Sequence, residues 1–262
     1  MTTEIFKINF NFDFPLVATA IHDGHEVRSE LSDLFQLSAT ERLREEDPHT
    51  GFLARQFSNT IVGTRSRFEA DLNRAPDKAI YQKPEDAWGL TIWKNGLPQE
   101  ELRKSQANYK LFYSKVEEAL ANLINKFGYA IVYDLHTYNH RRNGPDGEIA
   151  DPQKNPEINL GLGNMDLTRW RPVVDTFKAE YSSAFGKVDM RENVKFNGGY
   201  FMHHLHKTFG SSICVIAIEF KKTFMDEWTN VLDEDHLKRI AKALYSTKQA
   251  VLKEAESINQ PA

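Results

Sequence analysis

Three short, mainly apolar runs constrain this chain most: Leu16–Ile21, Ala130–Leu135 and Ile213–Ile218. None shows the apolar-polar alternation of a strand with one wet face. Each therefore reads as a strand covered on both sides, as in the sheet of an α/β protein. Each run also ends on a side chain able to bind a metal or move a proton. His22 follows the first, His136 the second and Glu219 the third. In open α/β sheets ligands bind outside the carboxyl ends of the strands, so residues far apart in sequence can converge there.

Helical spacing fills the intervals between these runs. Leu102, Tyr109, Phe112, Val116, Leu120, Leu123 and Phe127 recur on one face of a helix predicted over Pro98–Phe127. Gln99, Glu100 and Glu101 suit its positive end, and Gly128 suits its C-terminal cap. Further helices are predicted over Glu234–Ala255, Asp166–Phe185 and Glu41–Phe57, with additional strands over Ile5–Phe10 and Phe68–Leu72. No repeat or flexible linker divides the chain. The expectation is a single α/β domain over residues 1–262, with a mixed, mainly parallel sheet flanked by helices.

Composition narrows the partners. The chain has 262 residues, 40% hydrophobic and 27% charged, with 33 basic against 37 acidic side chains. That balance supports a globular core and gives no electrostatic case for binding nucleic acid or a membrane surface. The apolar runs are too short to span a bilayer. Met1–Phe10 lacks the pattern of a secretory signal, and the one cysteine, Cys214, has no partner for an internal disulfide. These features predict a cytoplasmic protein whose partner is a small molecule.

Local context sharpens the candidate site. His22 stands in Ile-His-Asp-Gly-His, where Gly24 permits close backbone approach. Asp134 and His136 share one face of an extended strand, which suits Asp134 to orient the imidazole. An open zinc site of the two-histidine, one-carboxylate kind needs a third ligand. Arg44-Glu45-Glu46-Asp47-Pro48 offers three carboxylates, although by composition it also reads as a solvated charge run. In Asp71-Leu72-Asn73-Arg74, the arginine suits a substrate carboxylate and Asn73 adds neutral donors, while a surface turn is the plainer alternative. After Asn197-Gly198-Gly199-Tyr200 come His203, His204 and His206; the latter two would share a face on a strand and bind metal, or form a surface cluster.

Taken in order, these pieces resemble the N-formylglutamate amidohydrolase family, a branch of the carboxypeptidase-like zinc hydrolases. The likeness runs from His22-Asp23-Gly24 through Asp47-Pro48-His49, Asp71-Leu72-Asn73-Arg74 and Asp134-Leu135-His136. It continues with Ile158-Asn159-Leu160-Gly161, Asn197-Gly198-Gly199-Tyr200 and Ile218-Glu219-Phe220-Lys221, ending at Met225-Asp226-Glu227. The resemblance implies hydrolysis of the amide of an N-acyl, above all N-formyl, acidic amino acid such as N-formylglutamate, with one zinc ion per chain. His22, Asp47 and His136 would be the zinc ligands, with Glu46 as the competitor to Asp47, and Glu219 the catalytic carboxylate. Arg67, Asn73, Arg74 and His204 would hold the substrate. Relatives place a glutamate three residues after the first histidine, where this chain has His25, and an Arg-His pair where it has His203-His204. The same machinery also serves a zinc carboxypeptidase, a deacylase for other acyl groups, or a binding protein that has kept the fold.

Overall fold

The computed structural model describes residues 5–259, so residues 1–4 of the Met1–Phe10 stretch fall outside it. Its seven strands are β1 (Phe6–Asn9), β2 (Leu16–Ala20), β3 (Thr60–Gly63), β4 (Ala130–Tyr138), β5 (Ile158–Gly161), β6 (Met190–Glu192) and β7 (Ile213–Lys221). The helices are α1 (Ser29–Ser32), α2 (Ala39–Glu45), α3 (Thr50–Ala54), α4 (Gln99–Phe127), α5 (Leu167–Phe185), α6 (Tyr200–Phe209) and α7 (Glu234–Asn259). The strands form one sheet in the order β1-β3-β2-β4-β7-β5-β6. The β2–β3, β2–β4, β4–β7 and β5–β6 pairings are parallel; β1–β3 and β5–β7 are antiparallel. The sheet is mixed and mainly parallel, as expected.

Side-chain alternation along the central strands divides the core in two. Ile131, Tyr133 and Leu135 of β4 join Cys214, Ile216 and Ile218 of β7 beneath α5 and α7. Ala130 and Val132 join Ile213, Val215 and Ala217 on the opposite face, beneath α4 and α6. By the same parity Asp134, His136 and Glu219 project to the α4 and α6 side, at the carboxyl ends of the strands. A third, smaller cluster around Phe35, Phe68, Tyr81 and Trp93 braces the long connection between β3 and α4 beside that end.

Several expectations are corrected. Glu41–Phe57 is not one helix. A capping box of Ser38 and Glu41 starts α2, which ends at Glu45, and Pro48 and left-handed His49 (φ 71°) separate it from α3. Among the described residues Phe68–Leu72 pairs with no strand and is a run of turns, in which the Glu69 carboxylate accepts from Arg28 and the Asp71 carboxylate serves the site described below. His204 and His206 lie on the helix α6, so they do not share a strand face. The strands β4 and β7 extend past their apolar stretches, which puts His136 and Glu219 inside the ladder rather than after it. Among the described residues no helix is long and apolar enough to cross a membrane.

Candidate metal centre and active site

His22, Asp47 and His136 converge at the carboxyl end of β2 and β4. One ligand atom from each lies within 4.8 Å of the others, and all three side chains are buried. Asp47 sits in the connection between α2 and α3, which four hydrogen bonds tie to the carboxyl ends of β2, β4 and β7. Its backbone N–H donates to His22 O (3.0 Å), and the Thr137 hydroxyl donates to its Oδ1 (3.1 Å). The fully buried Lys222 ammonium donates to the carbonyls of Arg44 (2.6 Å) and Glu46 (2.8 Å). Burial pushes that lysine down to about 8. Glu46 turns away from the centre, accepting a bond from the Ser66 hydroxyl and pairing with His25 Nδ1 at 2.5 Å.

Both imidazoles are aimed from behind. His22 Nε2 bonds Asp71 Oδ1 at 2.8 Å, and His136 Nε2 lies 3.1 Å from Asp134 Oδ2. Their Nδ1 atoms therefore face a common point with Asp47 Oδ2, at 3.3 Å from His22 and 2.9 Å from His136. His22 Nδ1 is buried and makes no hydrogen bond among the described residues. Asp134 is held in turn by the Thr19 hydroxyl at 2.7 Å.

The residues present fit a divalent metal. Two imidazole nitrogens and a carboxylate oxygen, each backed by a further carboxylate or hydroxyl, are the donor arrangement of an open zinc site. The electrostatics agree. Burial alone would raise the Asp47 carboxyl, yet the His136 and His22 imidazoles together overcome it and hold Asp47 far below the usual carboxylate range. Burial alone would lower His136, yet Asp134, Asp47 and Glu219 hold it well above the usual range.

Glu219 stands beside this group, in direct register with His136 across the parallel β4–β7 pair. It is buried, and no donor among the described residues hydrogen-bonds its carboxyl. Burial is the main cause that pushes it up to about 7, a value suited to exchanging a proton near neutral pH. These side chains line a cavity of about 310 Å³ together with Arg67, Asn73, Trp88, Arg142, Lys195 and Lys222.

The expected substrate-binding residues fall in two groups. Arg67 and Asn73 line the cavity. The Arg67 guanidinium donates to Asp71 Oδ2 from Nε (3.1 Å) and Nη2 (2.7 Å). Asn73 accepts from the Phe201 N–H (2.9 Å) and brings Nδ2 to 3.5 Å from His136 Nε2. Gly199 makes room for it, since a Cβ there would stand 2.2 Å from the Asn73 side chain. Arg74 lies over the Tyr81 ring and 3.8 Å from Asp71, outside the cavity lining. His204 is also away from the cavity, bonded through Nε2 to Glu117 on α4 at 2.6 Å.

Sequence reasoning missed the hub of the site. Buried Asp71 binds His22, Arg67, the Tyr81 hydroxyl and the Asn73 N–H at once. In Asp-Leu-Asn-Arg it reads as an ordinary turn residue, and only its standing two places before Asn73 hinted at more. Lys222, Arg142 and Lys195 were missed as well, because a basic residue after a strand or in a loop reads as a solvated one.

Known proteins bear on this geometry. An N-formylglutamate deformylase from Pseudomonas aeruginosa is 25% identical over 183 residues, 65% of this chain and 65% of the relative's own length. The solved structure of an N-formylglutamate amidohydrolase from Ralstonia eutropha JMP134 matches 98% of this chain and 98% of its own, with a TM-score of 0.74 at 17% identity. A solved gene product from Agrobacterium tumefaciens matches 98% of this chain and 97% of its own, with a TM-score of 0.67 at 16% identity. Both solved structures speak for the fold. The family model for N-formylglutamate amidohydrolase matches residues 14–225, a span that contains every residue of the centre from His22 to Lys222, and the chain belongs to that family.

Proposed function

We propose that this protein hydrolyses N-formylglutamate to formate and glutamate, with one zinc ion held by His22, Asp47 and His136. The observation that carries the reading is the place of Glu219: a buried carboxyl with no hydrogen-bond donor among the described residues, on the strand position paired with His136. A bound zinc ion supplies Lewis acidity, polarising the scissile carbonyl and bringing the pKa of water towards about 7.

Glu219 takes the proton from the attacking water and then delivers it to the leaving amine nitrogen. Asp71 and Asp134 hold the two imidazoles in the tautomer and orientation that keep both Nδ1 atoms on the metal side. Arg67 spends three of its five N–H groups on Asp71 and the Glu45 carbonyl. The remaining ones are available to the substrate's α-carboxylate, with the Asn73 amide beside them, so the formamide is oriented before reaction. Arg74 backs this arrangement through Asp71. His204, bonded to Glu117, is assigned no contact with the substrate. The reading places the protein in the reducing cytoplasm, in keeping with Cys214 as a buried thiol within β7.

The test is release of the free amino acid from a panel of N-formyl, N-acetyl and peptidyl amino acids by the zinc-loaded protein. N-formylglutamate is expected to be turned over fastest. Faster turnover of peptides or acetyl derivatives would point to a carboxypeptidase or another deacylase.

A further inference from the structure

The active-site cavity is lined by more cations than the chemistry at its metal end uses. Arg67 is committed to Asp71, and Lys222 to two backbone carbonyls. Two others, Arg142 and Lys195, stand on the same wall. Arg142 shares the Glu45 carboxylate at 3.1 Å and leaves nearly half of its side chain exposed. Lys195 has no carboxylate partner among the described residues. Its ammonium donates to the neutral Asn155 amide at 2.5 Å and lies 5.1 Å from the centre of the Tyr138 ring and 5.6 Å from that of Phe196. Burial first, and then the Arg142 guanidinium, push Lys195 below the usual lysine range against an opposing pull from the Glu219 carboxylate, and both cations line the same cavity. With Arg142 paired to Glu45 and no ion-pair partner for Lys195 among the described residues, this wall carries a partly desolvated cation that attracts an anion. The rings of Tyr138 and Phe196 beside it offer an apolar surface for a short methylene chain.

We infer that Lys195, with Arg142, binds the side-chain carboxylate of the substrate and makes the protein selective for N-acyl amino acids bearing a second carboxylate. This rests on the proposed deformylase activity, in which Arg67 and Asn73 take the α-carboxylate near the reacting amide. The second carboxylate of a glutamate skeleton then lies further along the cavity, where Lys195 and Arg142 stand.

The test compares zinc-loaded wild type, Lys195→Met and Lys195→Arg on N-formylglutamate and N-formylglutamine, with calorimetric titrations of glutarate and butyrate in parallel. Lys195→Met removes the charge and keeps the stem. The expected result is a fall of about 10- to 100-fold in kcat/KM for N-formylglutamate, carried by KM, as for loss of one charge-assisted hydrogen bond. N-formylglutamine should change less than about twofold, and Lys195→Arg should keep most of the preference. Glutarate should lose affinity for Lys195→Met while butyrate does not. Equal losses on both formyl substrates, or no loss on either, would overturn the assignment and leave the deformylase reading standing. Wild type that turns over neither substrate would refute that reading, and the titrations then decide alone. Glutarate binding that needs Lys195 supports the anion site; binding that is absent, or equal in Lys195→Met, overturns it.

Discussion

Glu219 and His136 stand directly opposite each other on two parallel strands, β7 and β4, in the middle of the sheet. Because parallel strands run in register from one end, the same ladder that buries Val132 against Val215 carries both groups to the carboxyl edge. A rigid ladder fixes the distance between these two groups, the proposed metal ligand and the proposed proton carrier, better than a loop does. The following outcomes are expected from that arrangement.

Replacing Glu219 by glutamine keeps the shape and removes the proton acceptor. Formate release should fall by roughly 10²- to 10⁴-fold, the usual worth of a positioned general base. Zinc content should remain at one ion per chain. Loss of the metal together with activity would mean that Glu219 is a ligand rather than the proton carrier.

The same variant should stabilise the metal-free protein, and only at higher pH. Burial raises the Glu219 carboxyl from 4.5 to about 7. The folded chain therefore holds a proton that the unfolded chain has lost between those values. Glu219's contribution is fully favourable below about 4.5 and is lost as pH rises through about 7, a swing of about 3 kcal/mol. Thermal unfolding of chelated wild type and Glu219→Gln should coincide near pH 4.5 and separate above pH 7, with the variant higher. A separation independent of pH would contradict this.

Asp71→Asn and Asp134→Asn should differ in kind. Each removes a carboxylate behind an imidazole and should weaken zinc binding by about 10- to 100-fold. Asp71 also neutralises Arg67, so Asp71→Asn leaves a cation with little exposure unpaired and should cost roughly 3–5 kcal/mol of stability. Denaturant unfolding of the metal-free variants separates the two effects. Equal stability losses would remove Asp71 from its place as the hub.

Gly199→Ala should act through Asn73. The added methyl meets the Asn73 amide at 2.2 Å and must displace it, which breaks its bond to the Phe201 N–H. The expected effect is on KM for N-formylglutamate, with zinc content unchanged. Unaltered kinetics would show that Asn73 does not touch the substrate.

Much of this site was legible in the sequence because burial leaves a mark there. Strands covered on both faces must be apolar, so a polar residue at the end of such a run, as His22, His136 and Glu219 are, stands out against its neighbours. The helix α4 was equally plain, since twenty-nine residues repeat one apolar face. Asp47 and Glu46 were not separable by sequence. In the fold Lys222 and Thr137, which lie 175 and 90 positions away from Asp47, fix the direction of the loop so that Asp47 faces the two histidines and Glu46 faces Ser66 and His25. Asp71 escaped notice because its partners His22 and Tyr81 are brought together only by the fold. His204 looked like a site residue in a cluster of histidines, yet helical geometry turns it towards Glu117 on α4.

Zinc removal and return, with formate release measured at each stage, tests the central claim most directly. The metal-stripped protein should be inactive on N-formylglutamate, and one equivalent of zinc should restore it. His136→Ala should neither retain the ion nor recover. Full activity after stripping, or a His136→Ala protein that binds zinc and turns over substrate like wild type, would contradict the account.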